Sequence, residues 1–164
     1  MERPHVLAVL SAMTLATFAM PVNVGFAQSA RDLVGAWTLV SAITEKDATK
    51  SDTFGPAAAG VLVFDASGLY TLTIIGDLPR VASNDRGNAT PEEAKGIVSG
   101  SIAHFGEYTV SDKIITLSIQ RSTFPNWTAT EAKRPLVLTG DKLEYTVAAA
   151  SAGGTATVTW ERAK

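Results

Sequence analysis

From Ala36 to the end of the chain, apolar and polar residues alternate with a period of two over most of the length, the pattern of strands that bury one face. Eight segments carry it: Ala36–Thr44, Gly60–Phe64, Leu69–Ile75, Ala103–Val110, Ile114–Gln120, Arg134–Thr139, Leu143–Ala148 and Thr155–Glu161. Each is rich in Val, Ile, Thr or aromatic residues, which suit a pleated, half-buried surface. Turn residues separate several of them: Asp65-Ala66-Ser67-Gly68, Ser111-Asp112 and Gly140-Asp141. Short strands joined by tight turns predict an all-β fold, an antiparallel barrel or sandwich, rather than βαβ units.

One helix interrupts the pattern. Thr90-Pro91-Glu92-Glu93 places a capping hydroxyl, a proline at the first helical position and a carboxylate at the third; together these satisfy the free amides of a helix start. Gly96 is expected to end it after little more than a turn. The rest of residues 76–100 reads as a polar loop, long enough to be either a lid or a wandering excursion.

Two hairpins give explicit registers. With Ser111-Asp112 as a two-residue turn, Tyr108 lies opposite Ile115, Gly106 opposite Leu117 and His104 opposite Ile119, so one face is apolar and the other carries Glu107, Thr109, Thr116 and Ser118. A slip of one residue would mix the faces. The same parity sends Arg121 to the buried side. With Gly140-Asp141 as the next turn, Leu138 meets Leu143, Leu136 meets Tyr145, and Arg134 meets Val147 on the apolar face. The predicted inner wall is therefore aliphatic and aromatic, interrupted by His104, Tyr108, Arg121, Arg134 and Tyr145.

The first residues read differently. Val6–Met20 is almost wholly apolar or small, Pro21 breaks it, and small residues precede a cleavage point after Ala27. This predicts an export signal over residues 1–27 and a single mature domain over 28–164, periplasmic or secreted. The alternative is an uncleaved membrane anchor, but the run is shorter than the roughly 20 residues of a spanning helix, which favours cleavage and leaves no membrane span in the mature chain. The formal charge is −2, unchanged by that cleavage, with no cluster of Lys and Arg to follow phosphates; nucleic acid is not an expected partner. There is no cysteine among the 164 residues, which excludes disulfides, thiolate metal sites and a thiol nucleophile. Sequons at Asn88-Ala89-Thr90 and Asn126-Trp127-Thr128 matter only in a glycosylating host.

Several local motifs together resemble the lipocalin-like domain proteins of bacteria and fungi. They are Leu33-Val34-Gly35-Ala36-Trp37-Thr38-Leu39-Val40-Ser41, Phe54-Gly55-Pro56 with the Gly60–Tyr70 hairpin, Thr90-Pro91-Glu92-Glu93, His104-Phe105-Gly106-Glu107-Tyr108, Phe124-Pro125-Asn126-Trp127, and Thr159-Trp160-Glu161-Arg162. The resemblance implies a calycin-type, eight-stranded up-and-down antiparallel barrel with a central cavity, but no single activity. Gly35-Ala36-Trp37 is similar to the Gly-x-Trp signature of lipocalins, whose Trp plugs the closed end beneath an Arg from a late strand; here that Arg is Arg134 or Arg162. The absence of cysteine departs from the disulfide-bearing lipocalins.

Three functions fit such a barrel. The first is a binding protein for a small hydrophobic or amphipathic molecule, lined by Tyr70, His104, Tyr108, Arg121, Phe124, Trp127, Arg134 and Tyr145, with an inward guanidinium pairing a ligand carboxylate. The structural alternative for each Arg is stacking on Trp37 or Trp127, or pairing with Glu131. The second is a cofactor-free isomerase or cyclase using His104, Tyr108 or Arg121 for proton transfer or charge stabilisation; the bland alternative is a rim histidine held by a hydrogen bond. The third is a structural module whose barrel is filled by its own side chains. No metal is expected, since His104 is the one histidine left after cleavage and a multi-histidine site cannot form. Gly96-Ile97-Val98-Ser99-Gly100 has the wrong spacing for a nucleophile elbow, and no phosphate loop or dinucleotide fingerprint occurs, so no cofactor is expected.

Overall fold

The computed structural model describes residues 29–164; the expected export signal over residues 1–27 lies outside them. Nine strands form one antiparallel sheet: β1 Gly35–Lys46, β2 Thr49–Asp52, β3 Ala59–Phe64, β4 Leu69–Ile75, β5 Ser101–Ser111, β6 Ile114–Ser122, β7 Thr130–Thr139, β8 Lys142–Val147 and β9 Thr155–Arg162. Apart from β2, each strand pairs with its neighbours in sequence, and β9 returns to β1 to close the barrel. The eight long strands are those the alternation predicts, so the choice between barrel and sandwich resolves to an up-and-down barrel.

Two short elements escaped the pattern. β2 is Thr-Lys-Ser-Asp, exposed throughout, and extends β1 as a hairpin beyond the barrel wall. A ribbon wet on both faces has no apolar alternation to betray it. α1, Ala30–Leu33, is a single turn started by the Ser29 amide donating to the Asp32 carboxylate at 2.8 Å.

The helix begins where predicted but runs further, as α2, Pro91–Ser99. The expected stop at Gly96 is corrected. Gly96 remains helical, and a Cβ there would come within 2.8 Å of Pro79 Cγ. Its role is to let the incoming loop lie against the helix. Glu93 binds that loop too, accepting from the amides of Thr90 at 2.8 Å and Ala82 at 3.0 Å. The 76–90 segment is thus fastened to α2.

Both hairpin registers keep the predicted faces. The β7–β8 pairing of Leu138 with Leu143 and Leu136 with Tyr145 is as read from the sequence. In the β5–β6 hairpin the turn is Asp112-Lys113, both with positive φ, one residue later than expected. Tyr108 therefore faces Leu117 and Gly106 faces Ile119. A two-residue change of register leaves the same side chains inside.

Parity then breaks. Gly106 pairs with Ile119 but Phe105 pairs with Arg121, so Gln120 is an extra, bulged residue. Gly106 permits the close approach: a Cβ there would run into the Ser118 carbonyl. The bulge turns Arg121 outward, where it is exposed. The expectation that Arg121 faces the interior is corrected, and His104 lies opposite Ser122 rather than Ile119.

The core fills the barrel from its closed end. Trp37, Trp160, Leu33, Phe64, Leu62, Ile115, Ile119, Leu136 and Leu143 are fully buried there. Of the two arginines considered for the cap over Trp37, it is Arg162: its guanidinium carbon sits 4.2 Å from the Trp37 ring centroid. It donates to the carbonyls of Val34 at 3.0 Å and Asp32 at 2.9 Å, and meets Asp141 at 3.3 Å. Trp37 Nε1 in turn donates to the Leu33 carbonyl at 2.8 Å. That leaves Arg134 without the capping task.

Candidate functional site

The other half of the barrel interior holds a cavity of about 40 Å³. One water needs roughly 10–15 Å³, so the space suits a head group or a small molecule, not a bulky ligand. Most of its wall is aliphatic: Leu72 and Ile74 from β4, Ile102 from β5, and Ala156 and Val158 from β9. Polar and aromatic side chains break that wall, among them His104, Trp127, Arg134 and Tyr145.

Arg134 is set by the period-two pattern of β7, where Arg134 and Leu136 point inward while Lys133 and Pro135 face out. It is only 3 % exposed. Its guanidinium carbon lies 5.1 Å from the Tyr145 ring centroid and 5.6 Å from that of Trp127. No carboxylate among the described residues pairs with it, and its Nε has no hydrogen-bond partner. Glu131, the partner considered from the sequence, pairs instead with Lys133. A buried guanidinium left this way is costly.

His104 is equally enclosed. Its Nδ1 and the Tyr70 hydroxyl are 2.9 Å apart, and its ring meets Trp127 edge-on at 5.8 Å. Burial, reinforced by the nearby Arg134 cation, pushes the imidazole pKa down from 6.5 to about 3. Burial raises Tyr70 and Tyr145 above the ordinary phenol value, with Arg134 opposing the rise at both. At neutral pH the site therefore holds one cation, a neutral imidazole and two protonated phenols.

Six of the residues singled out in the sequence come together. Arg134, His104, Trp127 and Tyr145 line the cavity, Tyr70 stands behind His104, and Phe124 packs edge-on against Trp127 at 5.6 Å. Phe124 precedes, and Trp127 ends, a single 3-10 turn, Pro125–Trp127. Tyr108 is elsewhere. Its ring packs on Phe64 at 4.6 Å, and its hydroxyl donates to the Asp65 carbonyl at 3.0 Å, with that of Ala30 at 3.3 Å, bracing the closed end. Arg121, outside the barrel, donates to the carbonyl of neighbouring Gln120. His104, Tyr108 and Arg121 thus do not form one constellation.

Sequence reasoning missed Phe54 and the turn at Ala150-Ser151, which complete the mouth. Phe54 follows β2 and is positioned by Thr53, whose amide donates to Ala42 at 2.8 Å and whose hydroxyl meets that of Thr44 at 2.7 Å. Neither segment alternates, so the strand pattern gives no sign of them. Among the described residues no group of three or more His, Asp or Glu could hold a metal, and none forms a helix long and apolar enough to cross a membrane.

No curated protein matches the sequence. Among solved structures, one match is the crystal structure of an uncharacterized protein from Bacteroides eggerthii, 15% identical, covering 79% of this chain and 99% of that one with a TM-score of 0.45. The model of a family described as lipocalin-like domain matches residues 34–163. With a closed eight-stranded antiparallel barrel over the same residues, the chain belongs to the lipocalin-like domain family.

Proposed function

We propose that this protein binds a small molecule carrying a carboxylate, held in the barrel cavity by Arg134. The observation that carries this reading is the absence, among the described residues, of an acidic partner for a guanidinium that is almost wholly enclosed. A ligand carboxylate would supply the missing charge and a hydrogen-bond acceptor in an arrangement that guanidinium favours. The aliphatic wall suits the apolar remainder, as in most ligand pockets. When the Tyr70 hydroxyl donates to Nδ1, His104 keeps its proton on Nε2 and offers a second donor to the same head group. The apolar run Val6–Met20 supports action after export.

The observations weigh binding above an isomerase or cyclase. A general base works best with a pKa near the operating pH, and that of His104 is pushed down to about 3. Tyr108 and Arg121, the other candidates for proton transfer, lie away from the cavity.

Native mass spectrometry of the protein purified from its own host tests the reading. The expected result is a stoichiometric acidic small molecule, absent from the Arg134→Met variant. A bound species with no acidic group, or one retained equally by the variant, would overturn it.

A further inference from the structure

The cavity is too small for the ligands that a barrel of this width could hold, but a second space adjoins it. A groove of about 250 Å³ lies next to it, outside the barrel mouth. The two spaces share Phe54, Ile102 and Ser151 as common walls. The groove runs between α2, which contributes Lys95 and Val98, and Phe124 and Ser151-Ala152 on the other side. Val98 is 69 % exposed although it is aliphatic, the most exposed of the large hydrophobic side chains among the described residues. The turn on this side contributes only the small residues Ala150, Ser151 and Ala152 to the two walls.

We propose that the ligand is an elongated amphipathic monocarboxylate, with its head group on Arg134 and its tail passing beside Phe54 into the groove along α2. The inference rests on the reading of Arg134 as the carboxylate partner and adds the shape of the rest of the molecule. Size favours it: the inner space admits a head group and little more, whereas the groove is about six times larger. Polarity runs the same way, because the cation sits at the inner end and apolar Val98 and Phe124 line the outer one. Lys95 at the groove excludes nothing apolar, since its methylenes can lie along a tail while the ammonium stays in water.

Calorimetric titration of the protein with butanoate, octanoate and dodecanoate tests the tail separately from the head. Each methylene buried in the groove should strengthen binding by about two- to fourfold, from the usual transfer free energy of a buried methylene. Affinity should therefore climb steeply from butanoate to octanoate. In Val98→Asp, a substitution at an exposed position, butanoate should bind as before and the gain with length should collapse. Equal affinities for all three acids, each lost in Arg134→Met, would overturn the tail and leave the head-group reading standing. A length dependence that survives Val98→Asp would also overturn the groove as the tail's path. Failure of every acid to bind, or binding indifferent to Arg134→Met, would overturn both.

Discussion

A guanidinium placed among aliphatic and aromatic side chains loses several kcal/mol of hydration. The two rings beside Arg134 return part of this, each about 2 kcal/mol when desolvated. Arg162 shows how the same molecule treats a structural arginine: it stacks on Trp37, donates to two carbonyls and meets Asp141. Arg134 has the stacking, but its Nε has no acceptor and no carboxylate among the described residues pairs with it. That contrast is why one reads as scaffold and the other as a site awaiting an anion. His104 belongs to the same environment and makes its own prediction. The unfolded chain takes up a proton on this imidazole as pH falls through 6.5, while the native protein refuses it until about pH 3. Between those values the unfolded state binds more protons, so acidification destabilises the fold. Chemical denaturation from pH 7 to pH 4 should show a loss of order a few kcal/mol, shared with other groups, and His104→Gln should flatten that acid limb. An acid limb unchanged by the substitution would contradict the buried, neutral imidazole.

The hairpin of β5 and β6 shows how far element-level reasoning reaches. Alternation fixed which side chains lie inside, because a two-residue change of register leaves faces intact. It failed at Arg121, because one bulged residue, Gln120, inverts every face beyond it. Gly106 in the middle of a strand was the available clue, since an interior glycine often marks a bulge or a close backbone approach. Gly106→Ala should force the strands apart at the Ser118 carbonyl, with a cost of roughly 2–4 kcal/mol typical of severe steric conflicts, measured by urea denaturation. An alanine tolerated within experimental error would mean that the bulge is not held by this contact. α2 was legible at its start, where capping residues are local. Its end was not, because Gly96 answers to Pro79 across space rather than to its neighbours in sequence.

At the scale of the whole molecule, the closed end and the mouth follow different rules. The closed end is a packed plug of Trp37, Trp160, Leu33 and Phe64 under Arg162, braced by Tyr108. Its members sit on strands or beside them, and most could be read from alternation. The mouth combines wall residues such as Arg134, His104 and Tyr145, also readable from their strands, with Phe54, Trp127 and Ala150-Ser151 from connections. Loops bring those together only in three dimensions, so the sequence named some of the residues without their arrangement. The packed plug lies at one end of the barrel, and a buried cation with no carboxylate partner among the described residues lies near the other, a division expected if the mouth serves a ligand.

The most direct measurement is the thermal stability of Arg134→Met, made beside octanoate binding by the same variant. An arginine retained for a ligand predicts a variant at least as stable as the parent, because methionine fills the space without a buried charge, and which no longer binds the acid. A clear fall in stability, with carboxylate binding unchanged, would show that Arg134 serves the fold and would contradict the account.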